Sequence, residues 1–189
     1  MKSLHLLALA ALCATAHAAP MRYEIDPAHT YPSFEADHMG LSVWRGKFNR
    51  SEGLVLMDRA AASGSVDLIV HTDSIDFGHD QMNSVARGDS LFDVERHPFA
   101  RYRGTLAGWQ DGQPTRVEGE LTLHGVTRPL VLEIRRFACK PHPLNKRELC
   151  GADALATLQR DAFGIDAGKA FGFDMAVTLR IQVEALAER

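Results

Sequence analysis

Cysteine is scarce in this chain: three in 189 residues, at Cys13, Cys139 and Cys150. None stands at C-x-x-C spacing, so the sequence does not spell a zinc ribbon or a thioredoxin-like redox pair. An excess of one charge is also lacking. The 21 Lys and Arg against 24 Asp and Glu leave a formal charge of −3, with both signs interspersed, and no basic face recommends a nucleic-acid partner. No apolar run is long enough to cross a bilayer as a helix. Repeats, low-complexity tracts and linkers are missing too, so one domain is the default reading of this length. Neither a nucleophile elbow nor an H-x-x-x-H or H-E-x-x-H pair occurs, and no carboxylate pair stands out, so no enzyme and no metal site is expected.

What is present is alternation. In the stretch Glu120–Ile134, Leu121 and Leu123 alternate with Glu120 and Thr122, then Leu130, Leu132 and Ile134 alternate with Val131 and Glu133. Each arm has one face for a core and one for water. His124-Gly125 between them reads as a tight hairpin turn, and Pro129, which cannot donate to a ladder, belongs at the start of its strand.

The same period marks Arg22–Asp26, Ser33–His38, Leu41–Asn49, Gly53–Asp58, Ser65–His71, Ala100–Trp109, Ala152–Arg160 and the last run from Met175 to Ala185. Gly46, inside one of these runs, suggests a bulge or a bend at a barrel corner. Between Ile75 and Val94 the period is lost, which predicts a short helical insertion around residues 77–94. About eight short strands with tight turns and one such insertion argue for an all-β antiparallel barrel, since closure removes the exposed edges. Phe34, Phe48, Leu68, Phe99, Leu121, Leu123 and Phe163 are its expected interior. On the residues alone, that interior is either a solid core or a ligand cavity.

Residues 1–18 read as an export signal: Lys2, an apolar run from Leu4 to Leu12, and the small-x-small site Ala16-His17-Ala18 before Ala19. Export to the periplasm of a bacterium, with residues 19–189 as the mature domain, is the expectation. Cleavage removes Cys13. In an oxidising compartment the remaining Cys139 and Cys150 most simply form a disulfide, with a reactive or metal-binding pair as the alternative. The polar, Pro-containing segment Lys140–Leu149 between them is expected to be an exposed loop.

One set of residues carries a resemblance. Tyr23-x-Ile25-Asp26-x-x-His29-Thr30, Phe34-x-x-x-His38, Gly46-x-Phe48, Ser74-Ile75, Pro98-x-Ala100, Leu121-Thr122-x-x-Gly125-Val126-Thr127-Arg128-Pro129 and Arg160-x-x-Phe163-Gly164 together resemble the YceI family over nearly the whole mature chain. The resemblance implies an exported, lipocalin-like barrel that holds a polyisoprenoid or other long-chain lipid in a hydrophobic tunnel. It favours the cavity over the solid core. In that setting Phe77, Met82, Leu91 and Phe92 belong to a lid or portal, or to a helix that simply caps one barrel end.

The chain departs from the common family pattern at Phe77 and at Val85-Ala86, where apolar groups replace polar or imidazole ones. Family position and residue type suggest that His38, His79 and Arg160 meet at the mouth and hold an anionic head group. A carrier or sensor of an isoprenoid or fatty-acid-like lipid is therefore expected, with no cofactor beyond that ligand. The competing readings are a quinone-holding accessory of a membrane cytochrome, and a lipid-modifying or metal-dependent enzyme using His38 and His79. Resemblance to dimeric members leaves a homodimer open.

Overall fold

A computed structural model describes residues 19–188; the segment read as an export signal lies outside them. The chain forms β1 (Met21–Ile25), β2 (Tyr31–His38), β3 (Ser42–Phe48), β4 (Ser51–Asp58), β5 (Ser63–His71), the two-residue β6 (Ile75–Asp76), helix α1 (Asp80–Arg87), β7 (Phe99–Ala107), β8 (Arg116–Leu123), β9 (Val126–Pro141), β10 (Glu148–Gln159) and β11 (Ala176–Ala187). All pairings are antiparallel, and the sheet closes into an eight-strand barrel because β11 pairs with the start of the chain. Its C-terminal half lies along β1 and its N-terminal half along β2, so these two act as one interrupted strand. Segments β3 and β4 make up the next strand in the same way.

The interruption has a local cause. Asp26 accepts a hydrogen bond from the Ala28 amide at 2.9 Å and pairs with His29 Nδ1 at 2.7 Å, which turns the chain out of the ladder. Thr30, fully buried, then takes over the missing ladder contacts. Its hydroxyl donates to the Glu184 carbonyl at 3.3 Å and accepts from the Glu184 amide at 3.2 Å.

The hairpin at Glu120–Ile134 forms as its alternation requires. Leu123 pairs with Val126 across a two-residue turn in which His124 (φ 51°) and Gly125 (φ 75°) are both left-handed, the turn type that matches strand twist. Leu130 and Leu132 are buried while Val131 is exposed. Pro129 differs from expectation, since it is the fourth residue of the long β9. That part of β9 pairs with β8 alone, and β10 joins only from Glu133, so one edge has no ladder for the missing N–H to break.

One further expectation is corrected. Gly46 is not at a bulge, because the β2–β3 register runs unbroken from Ser33–Lys47 to His38–Ser42. The ring of Phe34 lies over it instead, and a Cβ there would sit 2.5 Å from Phe34 Cζ. The barrel's irregularity falls between β9 and β10, where the register shifts at Asp153/Ala154. The segment between Cys139 and Cys150 is mostly exposed, as expected, although only residues 142–147 are loop and the cysteines themselves lie on the strands. They are direct cross-strand partners joined by a disulfide, with Cα atoms 4.0 Å apart, and both strands continue beyond them.

The short helix occurs where the strand period fails. His79 caps it through Nδ1, which accepts from the Met82 amide at 3.2 Å. Asp80 in the first turn and Arg87 in the last complement the helix dipole. Buried Asn83 ties α1 to the sheet: its Oδ1 accepts from the Phe77 amide at 2.7 Å and its amide donates to Asp76 at 3.1 Å. The helix covers one end of the barrel with Met82 and Ala86 turned inward and Val85 outward.

Candidate functional site: an apolar cavity under the helix

Both readings of the interior hold, each for half of the barrel. At the end away from α1, Tyr23, Met57, Leu106, Val117, Ala154, Ala185 and Ala187 are buried among the core residues and none borders the cavity. Towards α1 the facing side chains do not meet. They enclose a cavity of about 420 Å³, within the usual size range of small-molecule sites.

Its walls follow strand parity. Phe34, Ala36 and His38 come from β2, Trp44 and Phe48 from β3, Leu68 and Val70 from β5, and Ala100 and Tyr102 from β7. Leu121, Leu123, Leu130 and Leu132 come from β8 and β9, with Leu158 on β10 and Val177, Leu179 and Ile181 on β11. Phe77, Met82, Leu91 and Phe92 close the helix side.

The aromatic rings form a connected wall. Phe34 meets Phe77 edge-on at 5.4 Å and Phe48 at 5.9 Å, and Phe48 meets Phe92 at 5.5 Å. Tyr102 contributes its ring, while its hydroxyl lies 3.1 Å from the Val117 carbonyl and 3.0 Å from that of Leu130. Burial raises that phenol's pKa, so it stays neutral and its polar tip is tied to the backbone.

Little polar chemistry reaches the interior. Asp37 and Arg160 are the charged residues among the lining side chains, and both are committed to backbone. Asp37 accepts from the Gly40 amide at 2.8 Å. Arg160 donates to the carbonyls of Ile165 at 2.9 Å and Ala167 at 2.6 Å, and burial lowers its pKa against the opposing pull of Asp161, Asp166 and Asp174. It fastens the loop after β10 instead of standing free as an anion hook.

His38 stacks flat on Trp44 at 4.2 Å and meets Phe173 edge-on at 5.1 Å. His79 caps α1 and borders an adjoining hollow on the other side of Trp44, Phe77 and Met82, with Val43, Gln81 and Val85. The expected meeting of His38, His79 and Arg160 is therefore corrected: only His38 and Arg160 border the cavity. Nor does His38 or His79 belong to any cluster of three metal-ligating side chains among the described residues.

Two expected lining residues lie elsewhere. Phe99 is 52% exposed and packs edge-on against His71 at 5.0 Å outside the barrel. The inward parity of β7 belongs to Ala100 and Tyr102, which forces Phe99 out. Phe163 is buried in the turn that follows β10, but it packs in the core and does not border the cavity.

Sequence reasoning also missed Trp44, Tyr102 and the loop residues Ile165 and Phe173. Trp44 had a signal, four residues before Phe48 and so on the same face of the strand. Phe173 had none, because it lies in a loop shaped by left-handed Gly168 and Gly172.

A family model, the YceI-like domain, matches residues 23–185. The chain belongs to the YceI-like family. Among relatives, a UPF0312 protein of Pectobacterium carotovorum (strain PC1) is 28% identical over 190 residues, covering 99% of this chain and 96% of its own. A UPF0312 protein of Yersinia pestis (strain Pestoides F) is 35% identical over 136 residues, 70% of each chain.

Two solved structures share the fold of this YceI-like domain. BcnA of Burkholderia cenocepacia gives a TM-score of 0.69 at 21% identity, covering 85% of this chain and 98% of that one. A polyisoprenoid-binding domain from Saccharophagus degradans, implicated in plant cell wall breakdown, gives 0.62 at 17% identity, covering 88% and 98%.

Proposed function

We propose that this YceI-like protein is exported and binds a long-chain isoprenoid or fatty-acid-like lipid by its tail, as carrier or sensor, with no chemistry of its own. The observation that carries the reading is the half-hollow barrel: a cavity of about 420 Å³ walled by aliphatic and aromatic groups, with its two charged lining residues already satisfied by backbone. Such a site stabilises a tail by about 0.8 kcal/mol per buried methylene, so few polar contacts are needed. Apolar side chains also stand outside the mouth. Leu41, beside His38 in the β2–β3 turn, is 79% exposed, and Phe171, in the loop that carries Phe173, is 78% exposed. Both are placed to meet a tail before it enters. The polyisoprenoid named for the Saccharophagus domain belongs to the same ligand class.

Native mass spectrometry of protein purified from the periplasm, followed by solvent extraction, tests this directly. The expected result is an adduct that releases a molecule with a long apolar tail; a redox-active quinone in the extract would assign the cytochrome-accessory role. A clean apo mass with no uptake of long-chain lipids on titration would overturn the proposal.

A further inference from the structure

We propose that Asp93, His97 and His124 bind one zinc-like divalent cation beside the cavity, at the helix end of the barrel. One ligating atom from each side chain lies within 4.8 Å of the other two. They come from two segments: Asp93 and His97 from the turns between α1 and β7, and His124 from the β8–β9 turn.

The observation that points to a ligand is the ring of His124. Its Nδ1 lies 3.2 Å from the Phe163 carbonyl oxygen. That oxygen only accepts, so Nδ1 carries the hydrogen and donates. In the neutral ring Nε2 then offers a bare lone pair, and this atom is buried with no hydrogen-bond partner. A buried polar atom left unpaired is uncommon and asks for a partner. An imidazole whose one nitrogen is anchored to a backbone carbonyl and whose other is bare is how proteins present histidine to a metal.

The other two side chains are placed to complete the site. The His97 ring faces His124 at a centroid distance of 4.4 Å. Gly125 keeps that space open, since a Cβ there would come within 3.0 Å of His97 Cε1. Asp93 is buried, and its Oδ2 is held by Arg96 Nε at 2.5 Å, which leaves Oδ1 for a cation. The Asp93 carbonyl also accepts from the His97 amide at 2.8 Å, fixing these two ligands relative to each other.

Two imidazole nitrogens and one carboxylate oxygen suit zinc and neighbouring first-row divalent ions, and suit calcium or magnesium poorly. Ligands about 2.0–2.1 Å from a tetrahedral zinc lie about 3.3 Å from one another, so side-chain movements on the order of an ångström close the site. The fourth position is left for water. A bound ion would pin the turns after α1 to the β8–β9 turn and so stiffen one side of the cavity's frame.

The test is calorimetric titration of the chelator-stripped full-length protein with Zn²⁺, together with the visible absorption of Co²⁺ added in its place. The expected result is one equivalent bound with intensified Co²⁺ bands, and a melting temperature raised by Zn²⁺. His97→Gln and His124→Gln should each weaken binding by more than 100-fold, beyond the 10–100-fold typical of removing a residue that only supports a ligand. His142→Ala, in the distant β9–β10 turn, should leave binding unchanged. If His124→Gln fails to fold, His97→Gln carries the comparison, with circular dichroism confirming its fold. Absence of saturable uptake, or unchanged affinity in a folded His97→Gln protein, would overturn the proposal.

Discussion

Replacing Phe34 by aspartate puts a carboxylate where the cavity is most apolar. Phe34 is 8% exposed, and its ring lies between Phe48 and Phe77 and over Gly46. Losing a buried Phe ring costs about 3–5 kcal/mol when the site cannot collapse, and here the adjoining space is already hollow. Among the described residues lining the cavity the carboxylate finds no free guanidinium or ammonium, because that of Arg160 is occupied by two carbonyls. An unpaired carboxylate in such a place takes up a proton more readily than in water. Where it stays charged, a hydrocarbon tail that strips its water incurs a penalty of several kcal/mol.

At neutral pH the Phe34→Asp protein is therefore expected to lose more than 100-fold in affinity for a fluorescent fatty acid, a factor equivalent to about 2.7 kcal/mol. Lowering the pH should restore part of it as the carboxyl is neutralised. Phe34→Leu, which keeps the site apolar, should retain uptake and separates a blocked cavity from an unfolded chain. A folded Phe34→Asp protein that binds the probe as tightly as the parent at neutral pH would refute the placement of this ring in the ligand's path.

Gly46→Ala is expected to destabilise the protein by about 1–3 kcal/mol, because the new Cβ forces the Phe34 ring from its seat; denaturant unfolding measures it. Cys139→Ser should cost roughly 2–3 kcal/mol by freeing the closed chain in the unfolded state, and reducing agent should lower the parent's melting temperature to a similar degree. Burial and the Glu148 carboxylate beside it push the Tyr23 phenol from its ordinary value near 10 up to about 12. Its contribution to stability is complete below the unfolded value and disappears as the pH rises through the folded one. Melting temperature should fall more steeply between those values in the parent than in Tyr23→Phe.

The barrel was legible because its signal is local. A period of two along β8, β9 and β11 assigns faces without knowledge of the partners, and Gly125 marks the turn between two of them. The hollow was not legible, since Leu121, Leu130 and Leu179 would show the same alternation whether they touched or stood apart. Phe99 shows the limit of composition: its size and apolarity argue for the interior, but the parity of Ala100 and Tyr102 decides against it. The role of Arg160 depends on carbonyls contributed by the loop that follows it, and the His97–His124 contact joins segments far apart in the chain. No spacing rule reaches across such distances.

The most direct measurement of tail recognition is calorimetric titration with a homologous series of lipids that share one head group and differ in chain length. Affinity should rise about fourfold with each added methylene, the equivalent of about 0.8 kcal/mol, and level off once the tail fills the cavity. Affinity that follows the head group and ignores chain length would contradict recognition by the hollow half of the barrel.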